Sequence, residues 1–306
     1  RERLSDGPLA LELSGLKKTF RSGMAQREVE AVRGIDLEVS AGQIFGFLGP
    51  NGAGKTTTMK MIMGLIGPSA GTVRVLGRPH GDTDVRHRVG YLPEHPNFYT
   101  YLSAEEILDF CGRLFGLGKS TRRERVDRLI ELVGLGHAAD RRLRGYSKGM
   151  LQRVGVAQAL INDPDLVIFD EPLSGLDPIG RREVREIICG LRDQGKTVFF
   201  SSHILHDIET ICDRVAIVQR GQLAAVGSLE QLLDKGHHRV SILFGGEDGR
   251  VPTDLEGEPR KVALGWELEV SREAREATLQ TLLAAGMTIV HVQPIRASLE
   301  ELFVEE

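Results

Sequence analysis

Apolar and polar residues alternate along three stretches in the first quarter of the chain, and a period of two predicts strands. In residues 9–20, Leu9, Leu11 and Leu13 share one face, and residues 31–39 and 71–76 repeat the pattern. The first stretch is expected to be an edge strand. Together the three predict an antiparallel β-layer.

A second kind of pattern consists of short runs that are apolar throughout, which is typical of strands buried on both faces. These runs lie at residues 43–48, 166–169, 197–202 and 215–218, and helical patterns separate them. They predict a parallel sheet with right-handed crossovers, in which ligands bind at the carboxyl ends of the strands.

Residues from about 98 to 160 have a helical character and interrupt the strands. Ser103 and Glu106 form a capping-box pattern before a helix at 107–115, and amphipathic patterns follow at 121–133 and 151–161. The block is therefore predicted to be a helical subdomain inserted between strands.

The pattern changes again after residue 233. Strands at 240–244, 262–270 and 287–292, a helix at 272–285 and a short helix at 299–303 predict a small α/β accessory domain. We therefore expect two domains, 1–235 with the helical block inside it, and the accessory domain, 236–306. The pair His237 and His238 at the boundary lacks a third ligand in spacing, which favours a linker over a metal site.

A glycine-rich turn joins the predicted strand at 43–48 to the next helix and fits Gly-x4-Gly-Lys-[Ser/Thr], the phosphate-binding P-loop. Its residues are Gly49, Pro50, Asn51, Gly52, Ala53, Gly54, Lys55, Thr56 and Thr57. In such a loop the backbone N–H groups surround a phosphate, the lysine reaches the β- and γ-phosphates, and the Thr56 hydroxyl ligates Mg²⁺. The flanking strand and helix disfavour a chance glycine-rich turn. The sequence therefore predicts binding of a nucleoside triphosphate.

Two acidic residues, Asp170 and Glu171, follow the buried run at 166–169. In P-loop enzymes an acid at this place holds Mg²⁺, and a second carboxylate beside it can polarise an attacking water. The doubled acid favours hydrolysis over phosphoryl transfer. The alternative is a pair of acids that merely cap the next loop.

Ser147 with Gly149, and separately Phe20, can each be interpreted in two ways. Ser147 and Gly149 stand at the start of a predicted helix, either as a plain N-cap or as a second anion-binding site. Phe20 ends the first strand, either over an adenine base or in the core.

Composition narrows the functional classes. The net charge of −4 disfavours a nucleic-acid surface, and no apolar run approaches the about 20 residues of a membrane span. The N-terminus has no apolar signal core, and Cys111, Cys189 and Cys212 lack metal spacing. Free buried thiols and a cytoplasmic location are therefore expected.

The ordered motifs in about residues 9–230 resemble the ATP-binding subunit of an ABC transporter. The matches are Walker A at 49–57, a Q-loop at 91–94, a signature motif at 146–153, Walker B at 166–171, a D-loop at 174–177 and a switch histidine at His203. The resemblance implies a P-loop NTPase core with the antiparallel layer and the inserted helical subdomain. It also implies an ATPase that uses ATP and Mg²⁺.

By this resemblance, two nucleotide-binding subunits, identical or closely related, would clasp two ATP molecules head to tail. Ser147 and Gly149 would bind the γ-phosphate held by Lys55 of the partner subunit, and Asp177 would connect the two sites. Within one subunit, Phe20 would stack on the adenine.

The same resemblance assigns the hydrolytic roles. Glu171 would act as the base or orient the water, and His203 would contact the γ-phosphate. Asp170 and Thr56 would hold Mg²⁺, together with Glu94, which replaces the glutamine usual in the Q-loop.

The resemblance also implies a membrane partner. The signature reads Tyr-Ser-Lys-Gly-Met instead of Leu-Ser-Gly-Gly-Gln, and with Glu94 and the tail 297–303 it resembles the branch that serves drug or polysaccharide exporters. The subunit would then lie on the cytoplasmic face of the membrane, bound to a separate integral permease. Residues 96–101 are either the docking site or a packed surface loop. The alternative function is a soluble ABC-type ATPase that acts on ribosomes or DNA.

Overall fold

A computed structural model describes residues 8–22, 27–234, 239–245, 252 and 255–294. The chain divides into two compact units between Gly227 and Ser228. The elements of the first unit are β1 (Leu9–Ser22), β2 (Arg27–Ser40), β3 (Ile44–Leu48), α1 (Lys55–Ile62), β4 (Ala70–Val75), β5 (Arg78–Pro79), α2 (Thr83–Arg86), β6 (Val89–Leu92), α3 (Ala104–Leu114), α4 (Lys119–Leu132), α5 (Lys148–Leu160), β7 (Leu166–Phe169), α6 (Pro178–Asp193), β8 (Thr197–Ser202), α7 (Leu205–Ile211), β9 (Arg214–Gln219) and β10 (Gln222–Ser228).

The antiparallel layer has the strand order β2-β1-β4-β5. β1 pairs with β2 on one side and with β4 on the other, so the prediction that residues 9–20 form an edge strand is wrong. Alternation reports that one face of a strand is buried, and it says nothing about how many neighbours the strand has. Leu11, Leu13 and Leu16 place the buried face of β1 in the main core.

The second sheet has the order β10-β9-β3-β8-β7-β6, and β3 pairs in parallel with both β8 and β9. β7 pairs in parallel with β8 and β6. Phe45 and Phe47 of β3 contact Phe199 of β8, with ring centroids 5.8 and 5.3 Å apart. This pairing brings the carboxyl ends of β3, β8 and β7 side by side, as the apolar runs predicted.

The helical subdomain consists of α3, α4 and α5, between β6 and β7. The predicted capping box is present, with Ser103 and Glu106 bonded reciprocally at the start of α3. α5 begins at Lys148, a little earlier than predicted, and packs closely on β6. A Cβ on Gly90 would lie 2.0 Å from the carbonyl oxygen of Ala159, so only glycine permits this contact.

The second unit contains α8 (Leu229–Asp234), β11 (Arg239–Gly245), β12 (Arg260–Val262), β13 (Gly265–Ser271), α9 (Arg275–Ala284) and β14 (Thr288–Pro294). The antiparallel sheet β12-β13-β11-β14 buries Ile242, Phe244 and Leu268 with Leu282 of α9.

The strand predicted at 262–270 is instead a hairpin, β12 and β13, that turns at residues 263–264. Gly265 permits the turn because its φ is +140° and an added Cβ would lie 2.4 Å from the Phe244 carbonyl oxygen. The predicted helix at 299–303 and the pair His237 and His238 lie outside the described residues.

The three thiols are free, as expected. Cys111 and Cys212 are buried, and burial raises the pKa of Cys111 to about 11 and that of Cys212 well above its ordinary value. Cys189 is only half-buried, which departs from the prediction. In the part of the chain described here, every helix is too short or too polar to cross a membrane.

Candidate active site

The P-loop runs from the end of β3 into α1, and two of its glycines lie where no side chain fits. A Cβ on Gly49 would lie 2.4 Å from the Val218 carbonyl oxygen, and one on Gly54, whose φ is +99°, would lie 2.4 Å from that of Ala31. α1 has no side-chain cap, so the N–H groups of its first turn remain available. Such a turn is suited to bind an anion.

Lys55 begins α1 and is buried beneath this loop. Its Nζ donates to the carbonyl oxygens of Gly49, at 2.6 Å, and of Pro50, at 3.2 Å. The same Nζ lies 3.2 Å from Oε1 of Glu171. Both side chains are less than a tenth exposed, so solvent screens this ion pair little.

Glu171 follows β7 and connects Lys55 to His203. Its Oε2 lies 2.8 Å from Nδ1 of His203, which follows β8. The backbone N–H of Glu171 donates to Oγ of Ser201 at 2.9 Å. The ends of three neighbouring strands thus supply a continuous chain of contacts from the P-loop lysine through the glutamate to the histidine.

Asp170 is completely buried beside this chain. Its Oδ1 accepts a hydrogen bond from Ser201 Oγ at 2.7 Å, whereas Oδ2 has no hydrogen-bond partner within the described ranges. Burial raises the pKa of Asp170. Hydrogen bonds from the hydroxyls of Ser201 and Thr56 lower the pKa, and the negative charges of Glu94 and Glu171 raise it further. A buried carboxylate oxygen without a donor fits a cation ligand.

Two further side chains, one in β6 and one just after it, interact electrostatically with Asp170. Glu94 is partly exposed, and its carboxylate is near enough to act on the pKa of Asp170. The Tyr91 hydroxyl is buried and has no hydrogen-bond partner among the residues that the structure describes, and burial with the charge of Asp170 raises the pKa of Tyr91 to about 12. Tyr91 therefore stays protonated as a potential donor.

The predicted second anion site forms a separate group. Ser147 caps α5, with its Oγ accepting from the Met150 N–H at 3.2 Å, and Asp177 caps α6 by accepting from the Gly180 N–H at 2.9 Å. A Cβ on Gly149 would lie 3.5 Å from Leu176, so the signature segment packs on the D-loop. Among the described residues, no hydrogen bond or ion pair joins Ser147 or Asp177 to the Lys55 chain.

Phe20 lies near the end of β1, opposite Val29 of β2, and its side chain is 40% exposed. Lys18 Nζ is 5.2 Å from the ring centroid, within the range of a cation–π contact. The ring is therefore not a core residue.

Sequence reasoning missed two residues of this site. Ser201 joins Asp170 to the Glu171 backbone, and Gln152 of α5 donates to the Pro172 carbonyl oxygen at 3.1 Å. A signal for Ser201 was its place two residues before His203, at the end of a predicted strand. For Gln152 the sequence offered no clear signal, because the charged Arg153 is its neighbour on the same helix.

The protein-family model described as ABC transporter matches residues 32–174. An uncharacterized ABC transporter ATP-binding protein of Synechocystis is 45% identical over 298 residues, which cover 95% of this chain and 82% of the relative. The chain belongs to the ABC transporter ATP-binding proteins. It is therefore an ATPase that binds ATP, as the motifs predicted.

Two further comparisons extend this assignment. The Nod factor export ATP-binding protein I of Paraburkholderia xenovorans is 35% identical over 294 residues, covering 95% of this chain and 90% of the relative. A solved dimeric ATP-binding cassette in a post-hydrolysis state with ADP and Pi has a TM-score of 0.66 at 23% identity, over 72% of this chain and 98% of that one. The second likeness confirms the predicted P-loop NTPase fold.

Replacement of Asp170 by Asn is expected to stabilise the protein in EDTA by about 0.5–2 kcal/mol at neutral pH. Asn keeps an oxygen for Ser201 and removes a buried charge. The pKa of Asp170 in the folded parent lies above the ordinary 3.8, so ionisation of this carboxyl lowers the stability of the folded state. That cost is absent at low pH, where the carboxyl is protonated, and grows as the pH rises. The gain should therefore be smaller near pH 5 than near pH 8 in urea unfolding.

A matched control is Glu124→Gln on the exposed face of α4. Equal or lower stability of Asp170→Asn at both pH values would contradict the prediction.

Proposed function

We propose that this ATPase pairs with a second nucleotide-binding subunit around two ATP molecules and powers a separate membrane permease that exports its cargo. The observation that supports hydrolysis best is the contact chain from Lys55 through Glu171 to His203. It joins a phosphate-binding cation, a carboxylate and an imidazole at the strand ends where P-loop ligands bind.

In this proposal the nucleotide lies along residues 49–57. The N–H groups of the loop and of the first turn of α1 bind the phosphates, and Lys55 exchanges its contact with Glu171 for the β- and γ-phosphates. Glu171 then orients or deprotonates the water, with His203 beside the γ-phosphate. The free face of Phe20 stacks on the adenine.

Mg²⁺ is the cation that these residues fit. The unpartnered Oδ2 of Asp170 and the Thr56 hydroxyl are hard oxygen donors, and the Glu94 carboxylate is a third. When bound, the ion would neutralise phosphate charge. The chain's own task is to keep Asp170 ionised in a buried position, for which Ser201 supplies a hydrogen bond.

Pairing is proposed because one group of motif residues lies apart from the Lys55 chain. Ser147 and Gly149 lie at the start of α5, and a helix N-terminus suits an anion. Because they lie apart from the P-loop of their own subunit, we assign them to the γ-phosphate of ATP bound to the partner subunit. Asp177 caps α6, the helix after the D-loop. In the proposed dimer it would lie between the two ATP sites. The likeness to a dimeric cassette supports this arrangement.

A groove of about 370 Å³ in the first unit is the proposed permease site. It lies between the end of α1, β6 and the ends of α3 and α5, and Leu65 and Leu114 line it while 60% and 70% exposed. On the segment before α3 and on α3 itself, Tyr99 contacts Tyr101 and Phe110, and all three are partly exposed.

We assign this groove to a cytoplasmic helix of the permease, because an amphipathic helix fits an apolar groove. Family membership implies such a partner, and this chain's described helices cannot span the membrane. In this proposal the subunit lies at the cytoplasmic face of the membrane and has no nucleic-acid partner. The similarity to a Nod factor export ATP-binding protein supports export as the proposed direction.

Replacement of Glu94 by Ala tests the metal set. Loss of one oxygen ligand should raise the Mg²⁺ concentration for half-maximal ATP turnover about tenfold. Steady-state turnover against Mg²⁺ concentration measures it, with Glu124→Ala as the control. An unchanged Mg²⁺ dependence would remove Glu94 from the site.

Replacement of Glu171 by Gln tests both hydrolysis and pairing. Turnover should fall about a hundredfold or more, since the amide cannot act on water, while ATP binding persists. With ATP and Mg²⁺ the variant should elute from size exclusion at twice its monomer mass. A chain that remains monomeric at saturating ATP would contradict self-pairing and favour a related but different partner subunit.

Replacement of Leu114 by Asp tests the groove. Tagged Glu171→Gln protein is captured from detergent-solubilised membranes with ATP, and a stoichiometric multi-span protein is expected. Adding Leu114→Asp should abolish its recovery, because a charge then faces the apolar helix. Leu264→Asp, at an exposed leucine of the second unit, is the control.

Recovery of ribosomes or DNA-bound proteins from the soluble fraction would instead support the alternative function. Undiminished recovery with Leu114→Asp would place the permease elsewhere on the subunit.

A further inference from the structure

Gln152 lies in the second turn of α5 and is buried, with a side chain that points out of the helical subdomain toward the loop after β7. Only 3% of the residue is exposed. Its Nε2 donates to the carbonyl oxygen of Pro172 at 3.1 Å. Pro172 is itself buried and directly follows Glu171.

The backbone at Glu171 is strained. Its φ is +50°, a left-handed conformation that residues with a Cβ avoid. A following proline disfavours helical conformations at the residue before it, which adds to the conflict. Such a conformation persists only where surrounding contacts hold it.

Two side-chain contacts hold this backbone from opposite sides. Before Cα of Glu171, its N–H donates to Ser201 Oγ, which β8 positions. After it, the Pro172 carbonyl oxygen accepts from Gln152, which α5 positions. Proline has no N–H and a fixed φ, so its carbonyl is the one backbone hydrogen-bonding group it offers. Gln152 therefore anchors one side and Ser201 the other.

We infer that Gln152 is a positioning residue for Glu171, and this rests on the hydrolytic role proposed for Glu171. The anchored backbone directs the carboxylate between Lys55 and His203. Without the amide donor, the Pro172 carbonyl loses its hydrogen bond and the strained φ can relax toward ordinary values. The carboxylate then leaves the orientation that turnover requires.

The test compares Gln152→Met, an unbranched apolar replacement, with Gln152→Glu, which keeps the shape but turns an acceptor toward the carbonyl. Both should lower kcat for ATP about tenfold to a hundredfold with KM within about twofold, because a misdirected catalytic group affects the chemical step. If the Met variant fails to fold, the Glu variant serves alone. Gln43→Leu is the control, since Nε2 of Gln43 is buried and makes no hydrogen bond within the described ranges of the chain.

A second measurement separates positioning from general damage. In a Glu171→Gln background, Gln152→Met should change the residual rate less than about twofold, because the carboxylate it positions is already absent. Equal losses in both backgrounds, or parental kcat in both single variants, would overturn the inference. If Glu171→Gln itself kept parental turnover, the proposed role of Glu171 would fail instead.

Discussion

The buried contact between Lys55 and Glu171 depends on the parallel pairing of β3, β8 and β7. A lysine and a glutamate enclosed by protein lose their hydration, and their mutual attraction compensates only when the geometry is close. The sheet provides that geometry because it ends three neighbouring strands at one edge, so that Lys55, His203 and Glu171 need only short turns to meet. The aromatic contacts between β3 and β8 stabilise the pairing of these two strands.

Burial has opposite consequences for the two neighbouring acids. In the described part of the chain both acids keep one buried oxygen without a hydrogen bond, but Oε1 of Glu171 lies 3.2 Å from the Lys55 ammonium, and no ion pair there involves Asp170. Glu171 is therefore paired with a cation of the chain itself, and Asp170 is the acid that the proposed function assigns to an external cation. Two adjacent carboxylates thus acquire different tasks from their surroundings alone.

Much of this could be predicted from the sequence, because the functional residues follow apolar runs whose strands align by necessity. The P-loop, Asp170, Glu171 and His203 were found in this way. Gln152 was not, because its partner is a backbone carbonyl on another element, and such a contact has no sequence spacing. The hairpin at β12 and β13 was missed for a similar reason, since its turn depends on the close approach of Gly265 to Phe244.

At Gly90 and Gly155, α5 and β6 approach each other too closely for a side chain to fit between them. At Gly90 the sheet edge meets the helix backbone, and at Gly155 the helix backbone meets Leu92, where a Cβ would lie 2.5 Å from its Cδ1. At Gly90 no side-chain torsion lies between the two backbones to absorb a displacement, whereas at Gly155 the contact is with the Leu92 side chain. The helix and the strand can therefore slide past each other least at Gly90, where a shift of α5 presses directly on the backbone of β6.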